Sequence, residues 1–164
     1  MKMTISNLHD ALTYLMKGLY DAEKKLQRAI PPCSRNITAD SLRVAVDAYY
    51  ESSTDKLLKL DRVFNYLMTE PTGRKNEVME KMIEDTHDLL KCATTDEMRD
   101  VILTSCIQNI NYYKISGYRT AMVFALEVGL DPVVELINDI LTWEREASLK
   151  FTSFAINDTN QRVN

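Results

Sequence analysis

Apolar residues recur with the period of an α-helix in four long segments and one short one. In the first segment they fall three or four positions apart over residues 8–30, and two prolines at 31–32 predict that the helix ends there. The second segment carries one apolar stripe over residues 42–67, and the Pro- and Gly-containing run 69–73 interrupts it. These patterns predict two long amphipathic helices joined by a short loop, with Thr38 or Asp40 capping the second.

The remaining segments begin and end at recognisable signals. A shorter amphipathic stretch covers residues 76–90, and a capping-box spacing at 94–97 opens the third long helix, which Gly129 stops. Asp131 is predicted as the N-cap of the fourth long helix because Pro132 suits the first helical position. Its apolar stripe continues to Ala155, and the polar residues 157–164 are predicted to form a frayed tail.

Four long helices, two short turns and a long middle connection predict an all-α fold. The order of these elements is that of a ferritin-like four-helix bundle with one long crossover containing a short extra helix. We assign residues 1–156 to this domain and residues 157–164 to the tail. The composition agrees, since only 4 Gly and 4 Pro occur among 164 residues.

Composition and charge exclude several functions. The net charge of −4 offers no electrostatic attraction for nucleic acid or an anionic membrane surface. Apolar runs stay below the roughly 18 residues of a membrane-spanning helix. Three cysteines, Cys33, Cys92 and Cys106, lack metal-like spacing, which favours reduced thiols and a cytoplasmic location.

Two glutamates interrupt the apolar stripes. Glu23 follows Leu19 by one turn in the first helix, and Glu144 lies among the apolar positions of the fourth. A carboxylate inside a bundle needs a cation, a metal ion or a proton. Each glutamate could instead lie at the edge of its stripe and reach solvent.

A metal ion is one possible partner. Ferritin-like di-metal sites combine two glutamates with two Glu-x-x-His motifs, and the chain has only 2 histidines. His87 completes one such motif with Glu84, but on the crossover helix, where an exposed polar face is the competing interpretation. A site for iron or manganese would use Glu23, Glu51, Glu144, Glu84 and His87, and the shortage of histidine makes it the weaker hypothesis.

A lysine is the other possible partner. Lys114 lies on the wide apolar arc of the third long helix and could neutralise Glu23 and Glu144, or its ammonium group could reach the surface. Tyrosine hydroxyls could complete the cluster, with candidates on the first, second and third long helices: Tyr20, Tyr49, Tyr50 and Tyr113. The predicted core polar cluster is therefore Glu23, Lys114, Glu144, Tyr20 and Tyr113, with no catalytic residue assigned.

These residues also carry a family resemblance. The chain resembles the YciF-like family of unknown function (DUF892), within the ferritin-like superfamily. The matching stretches span nearly the whole chain: Leu19 to Lys24, Met79-Glu80, Met82 to Glu84, Arg99-Asp100, Tyr113, Ile115, Tyr118, Glu144 and Ala155 to Asn157. The resemblance implies a cytoplasmic homodimer of ferritin-like bundles, sometimes induced by stress, without an established activity.

The chain departs from the family pattern at the metal-ligand positions. The third long helix of the family usually reads Glu-His-Tyr-Glu, where this chain reads Asn111-Tyr112-Tyr113-Lys114. Glu51 matches a family acid but falls off the apolar stripe. We therefore expect a non-enzymatic dimeric bundle, possessing a degenerate metal site filled by side chains. The alternatives are a metalloprotein that oxidises metal or disposes of peroxide, and a bundle that binds a small molecule between its Tyr-rich helices.

Overall fold

The computed structural model describes residues 4–162, with side chains described as far as residue 155. Within this range the chain forms five helices: α1 (Leu8–Ser34), α2 (Asp40–Leu67), α3 (Glu77–Cys92), α4 (Asp96–Glu127) and α5 (Asp131–Arg162). The four long helices α1, α2, α4 and α5 form the bundle, and α3 lies in the crossover between α2 and α4. The prediction of an all-α four-helix bundle with one crossover is confirmed.

The bundle is closed by contacts between neighbouring long helices. Helix α1 packs against α2 and α4, while α5 packs against the same two helices from the other side. Helix α3 covers α4 and α1. The apolar core is divided into two clusters. One is centred on Leu12, Leu60 and Ile137, and the other on Leu26, Val46 and Phe151.

The predicted end of the first helix is wrong by one turn. Helix α1 continues through Pro31 and Pro32 to Ser34, whose hydroxyl donates to the Pro31 carbonyl at 3.0 Å. Proline removes the N–H groups that would bond to the carbonyls of Gln27 and Arg28. The helix tolerates the loss of these two hydrogen bonds because the prolines lie in its final turns, near the surface. Water can bind the free carbonyls there.

The start of α2 depends on a residue of α4. Neither Thr38 nor Asp40 caps this helix, since Ala39 is the N-cap residue and has no side-chain cap. Instead the buried Asp100 carboxylate accepts the N–H groups of Thr38 and Ala39 at 3.1 and 2.9 Å, and the Thr38 hydroxyl at 2.7 Å. Asp100 thereby caps α2 from another helix, which local spacing does not reveal.

Helix α5 also differs from its predicted limits. Asp131 is its first residue and not its N-cap, and the carbonyl of Leu130 accepts the first N–H groups. The backbone of residues 157–162 continues the helix, where a frayed tail was expected, and residues 163–164 lie outside the described range. The boundary between bundle and tail stays a prediction.

The described helices carry too much charge, or too short an apolar run, for any of them to cross a membrane. All three cysteines, Cys33, Cys92 and Cys106, are free thiols, as predicted.

Candidate functional site

Each long helix places one charged side chain at the same level of the core. Glu23 from α1, Lys56 from α2 and Lys114 from α4 are 1% exposed, and Glu144 from α5 is fully buried. The four lie where the two apolar clusters meet: along α4, for example, Ile110 belongs to one cluster and Tyr118 to the other, with Lys114 between them. We call these four residues the ionic network.

Lys114 bridges the two carboxylates. Its Nζ lies 2.9 and 3.1 Å from Oε1 and Oε2 of Glu23, and 2.7 Å from Oε1 of Glu144. An ammonium group has three hydrogens, and the third donor direction is met by the hydroxyl of Tyr49 at 3.1 Å. Lys114 is therefore held inside the core and does not reach the surface.

A second lysine completes the charge balance. Lys56 Nζ lies 2.5 Å from Oε1 of Glu144 and 4.6 Å from the centre of the Tyr49 ring, a cation–π distance. The side-chain amide of the buried Asn111 donates to the other oxygen, Oε2 of Glu144. Two ammonium groups thus face two carboxylates, and the network carries no net charge when all four are ionised.

Two tyrosines from different helices supply the remaining polar contacts. The hydroxyl of Tyr118, which is fully buried, donates to Oε1 of Glu23 at 2.8 Å. Tyr49 contacts Lys114 through its hydroxyl and both lysines through its ring face. Every carboxylate oxygen of Glu23 and Glu144 therefore has a nitrogen or hydroxyl donor close by.

The electrostatic consequences differ between the two lysines. Burial alone lowers the pKa of Lys114, but Glu144 and Glu23 outweigh it, so that this pKa lies well above its usual value. Burial and the nearby Lys114 lower the pKa of Lys56 despite its contact with Glu144. Burial raises the pKa of Glu144, but the ammonium groups of Lys114 and Lys56 lower it by more than burial raises it. The pKa of Glu144 therefore lies below its usual value. Burial and the nearby carboxylates raise the pKa of Tyr118.

The structure brings together three of the five residues predicted for the polar cluster. Glu23, Lys114 and Glu144 meet as expected, but Tyr20 and Tyr113 are not among their partners. The Tyr20 ring packs edge-on against Phe64, with 5.7 Å between ring centres. The Tyr113 hydroxyl donates to Oδ1 of Asn76 at 3.1 Å. Both tyrosines point away from the ionic network. The rotation of α1 and α4 turns the neighbouring residues Leu19 and Lys114 into the core instead.

Sequence reasoning missed Lys56 and the polar role of Tyr118. The predicted stripe of α2 includes Tyr50, Ser53 and Leu57. The structure buries Ser53 as predicted, but it buries Lys56 in place of Leu57 and leaves Tyr50 38% exposed. Lys56 precedes Leu60 by one turn and follows Ser53 by three positions. This spacing is compatible with a place for Lys56 on the buried face of α2. The apolar arc of the third long helix includes Tyr118, one turn after Lys114, but the pattern assigns no partner to its hydroxyl.

The candidate metal ligands do not converge. Glu51 is exposed on α2, and Glu84 is exposed on α3, where it pairs with Lys81 at 2.6 Å. His87 is half-buried on α3. In the described part of the chain, no three His, Cys, Asp or Glu side chains are grouped so that they could hold a metal ion. The two glutamates that do lie close together have all their oxygens engaged, and two ammonium groups beside them would repel a cation.

The apolar cavity next to Tyr49 is small. It has a volume of about 30 Å³ and is lined by residues such as Leu26, Val46 and Ile107. A cavity that binds benzene measures about 150 Å³. This cavity is thus too small for an organic ligand.

The fold and this site define a class of protein: an all-α bundle with a closed ionic network in its core. The chain belongs to the family described as a domain of unknown function (DUF892), whose model matches residues 7–164. Over 162 residues it is 27% identical to protein YciF of Escherichia coli, covering 98% of each chain.

Solved structures agree with this assignment. The crystal structure of the E. coli stress protein YciF matches with a TM-score of 0.90 and 26% identity, covering 95% of this chain and 99% of that chain. YcfI of Rhodopseudomonas palustris matches with a TM-score of 0.89 and 22% identity, covering 93% and 97%. The second match concerns the fold alone.

Proposed function

We propose that this chain is a non-enzymatic, stress-related bundle protein in which the ionic network replaces a metal centre. The observation that carries the proposal is the position of Lys114, whose ammonium group lies within 2.9 Å of an oxygen of both Glu23 and Glu144. In a ferritin-like metal site, the metal ions would supply the positive charge between such carboxylates. Here Lys114 and Lys56 supply it.

The network has the properties of a structural element. Its polar groups bind one another and are buried, so they offer a substrate neither access nor a free acid or base. Ionic clusters of this kind are costly to bury, but they penalise every packing that separates their members. Because the four charges come from four helices, they fix the register of all four at once.

The link to stress comes from the relationship with the E. coli stress protein YciF. The resemblance also leads us to propose a homodimer in the cytoplasm. Sedimentation equilibrium at micromolar concentration tests the dimer, and a monomeric mass of about 19 kDa at all concentrations would oppose it.

Metal analysis tests the central part of the proposal. The protein would be produced in medium supplemented with iron and manganese, purified without chelator, and its metal content measured by mass spectrometry. We expect well below one metal ion per chain. One or more iron or manganese ions per chain would instead favour the metalloprotein alternative.

A gain-of-function variant provides the matching positive control. The double substitution Lys56→Gln and Lys114→Glu removes both ammonium groups and leaves three carboxylates facing one another, a set of oxygen ligands that suits manganese or iron. We expect this variant to gain metal-dependent stability. The same two kinds of change at exposed lysines, Lys81→Gln and Lys91→Glu, should produce no metal binding.

A further inference from the structure

A second cavity lies outside the ionic network, between α1, α4 and the loop that leads into α3. Its volume is about 180 Å³, and its walls combine the apolar side chains of Leu15 and Leu19 with polar groups of the loop and of α4. Since about 150 Å³ of apolar space can hold benzene, this cavity is large enough for a ligand with one ring or a branched chain.

The loop residue Arg74 forms one wall of this cavity and is held in a fixed orientation. Its guanidinium lies over the Tyr14 ring, with Cζ 3.7 Å from the ring centre, and Nη1 donates to the Tyr14 carbonyl at 2.7 Å. Gly18 makes the space, because a Cβ atom at that position would lie 2.6 Å from Nη1. The guanidinium is thus pre-organised against α1 before any ligand arrives.

Arg74 has no carboxylate partner within the described residues. Asp21, three residues after Gly18 on α1, is already engaged: it accepts the N–H of Asn76 at 2.7 Å and contacts Lys25 at 3.2 Å. A guanidinium has five N–H donors in a planar fork that matches a carboxylate. Arg74 therefore presents an unneutralised charge and free donors to the cavity.

The remaining walls are rigid and mostly apolar. Asn76 donates to the Gly18 carbonyl at 3.0 Å and accepts from the Tyr113 hydroxyl at 3.1 Å and from the N–H of Met79 at 2.9 Å. These bonds join α1, α3 and α4 around the cavity. Since they occupy the side-chain amide of Asn76, we assign that amide no contact with a ligand. A cationic fork beside leucine side chains suits a molecule with one anionic and one apolar end.

We propose that this cavity binds a small monocarboxylate with a compact apolar body, its carboxylate paired with the free edge of Arg74. The site does not overlap the ionic network, so the proposal stands or falls independently of the function proposed above.

Nuclear magnetic resonance titration of the ¹⁵N-labelled full chain with benzoate tests the site. We expect saturable shifts at the amides of Gly18, Tyr113 and Gly117. Benzamide, which has the same shape without the charge, and inorganic phosphate, which has charge without the apolar body, should bind at least about tenfold more weakly. Equal binding of benzamide or phosphate, or no saturation by benzoate at about 10 mM, would overturn the proposal.

Two variants and one control locate the binding. Arg74→Gln should weaken benzoate binding about tenfold or more, because the charge-assisted bonds are lost. Ser116→Leu, at an exposed position on the rim, should also weaken it by filling the cavity without unfolding the chain. Arg62→Gln, at an exposed arginine of α2, should leave binding unchanged. Benzoate affinity equal to that of the unmodified chain in either cavity variant contradicts the assignment.

Discussion

Replacing Lys114 by methionine removes the charge that joins Glu23 to Glu144 while keeping a side chain of similar length. Glu23 then loses contacts of 2.9 and 3.1 Å and keeps only the hydroxyl of Tyr118. Glu144 retains Lys56, so the core is left with one uncompensated negative charge. Breaking a buried ion pair from one side costs about 3–5 kcal/mol, a large part of the roughly 5–15 kcal/mol by which domains are stable.

Urea unfolding at pH 7, followed by far-ultraviolet circular dichroism, measures this loss. Lys91→Met is the matched control, because Lys91 pairs with Asp88 in an ion pair whose side chains are 75% and 74% exposed. Water screens that pair, and its removal should change stability little.

A second substitution separates charge from packing. In the Lys114→Met background, Glu23→Gln removes the uncompensated charge and should restore more than half of the lost free energy of unfolding. Lowering the pH towards 4 should also narrow the gap to the unmodified chain, since a buried carboxylate without a cation takes up a proton on folding. If Lys114→Met destabilises no more than Lys91→Met, or if Glu23→Gln deepens the loss, the ionic network does not hold the core as described.

Other substitutions probe the remaining contacts in the same unfolding assay. Tyr118→Phe removes the donor 2.8 Å from Glu23 and should cost about 1–3 kcal/mol; an unchanged stability would mean that this bond is not formed. Asp100→Ala leaves the N–H groups of Thr38 and Ala39, just before α2, unpaired and should cost about 1–2 kcal/mol, with Asp100→Asn losing less. Because the neighbouring ammonium groups outweigh burial and lower the pKa of Glu144 from 4.5, its contribution to stability is complete above that pH and disappears as the pH falls through the lowered value. The double variant Glu144→Gln/Lys56→Met lacks this contribution. Below pH 4.5, its free energy of unfolding should therefore fall less steeply with pH than that of the unmodified chain, by at most about 1.4 kcal/mol per pH unit. An identical slope in the two proteins would contradict an ionised Glu144.

The sequence predicts the helices well because their apolar faces repeat over many turns. It also predicts that Glu23, Lys114 and Glu144 share a level of the core, since each interrupts such a face at mid-helix. It does not predict the burial of Lys56. The apolar pattern of α2 places Leu57 on the buried stripe, and a rotation of the helix by one residue puts Lys56 there instead.

Contacts that depend on helix rotation or on loops escape the same reasoning. Tyr20 and Tyr118 both lie within a turn of network residues, and only the packing of neighbouring helices decides which hydroxyl turns inward. Asp100 binds N–H groups 61 and 62 residues earlier in the chain, and Arg74 reaches α1 from the crossover loop. No local pattern encodes these placements, because they arise from the path of the chain between helices.

Anomalous X-ray diffraction from crystals soaked in manganese chloride tests the replacement of metal by lysine most directly. We predict no anomalous peak between Glu23 and Glu144, and electron density for Lys114 Nζ in contact with both carboxylates. A manganese peak between the two carboxylates, with Lys114 displaced from them, would contradict the account.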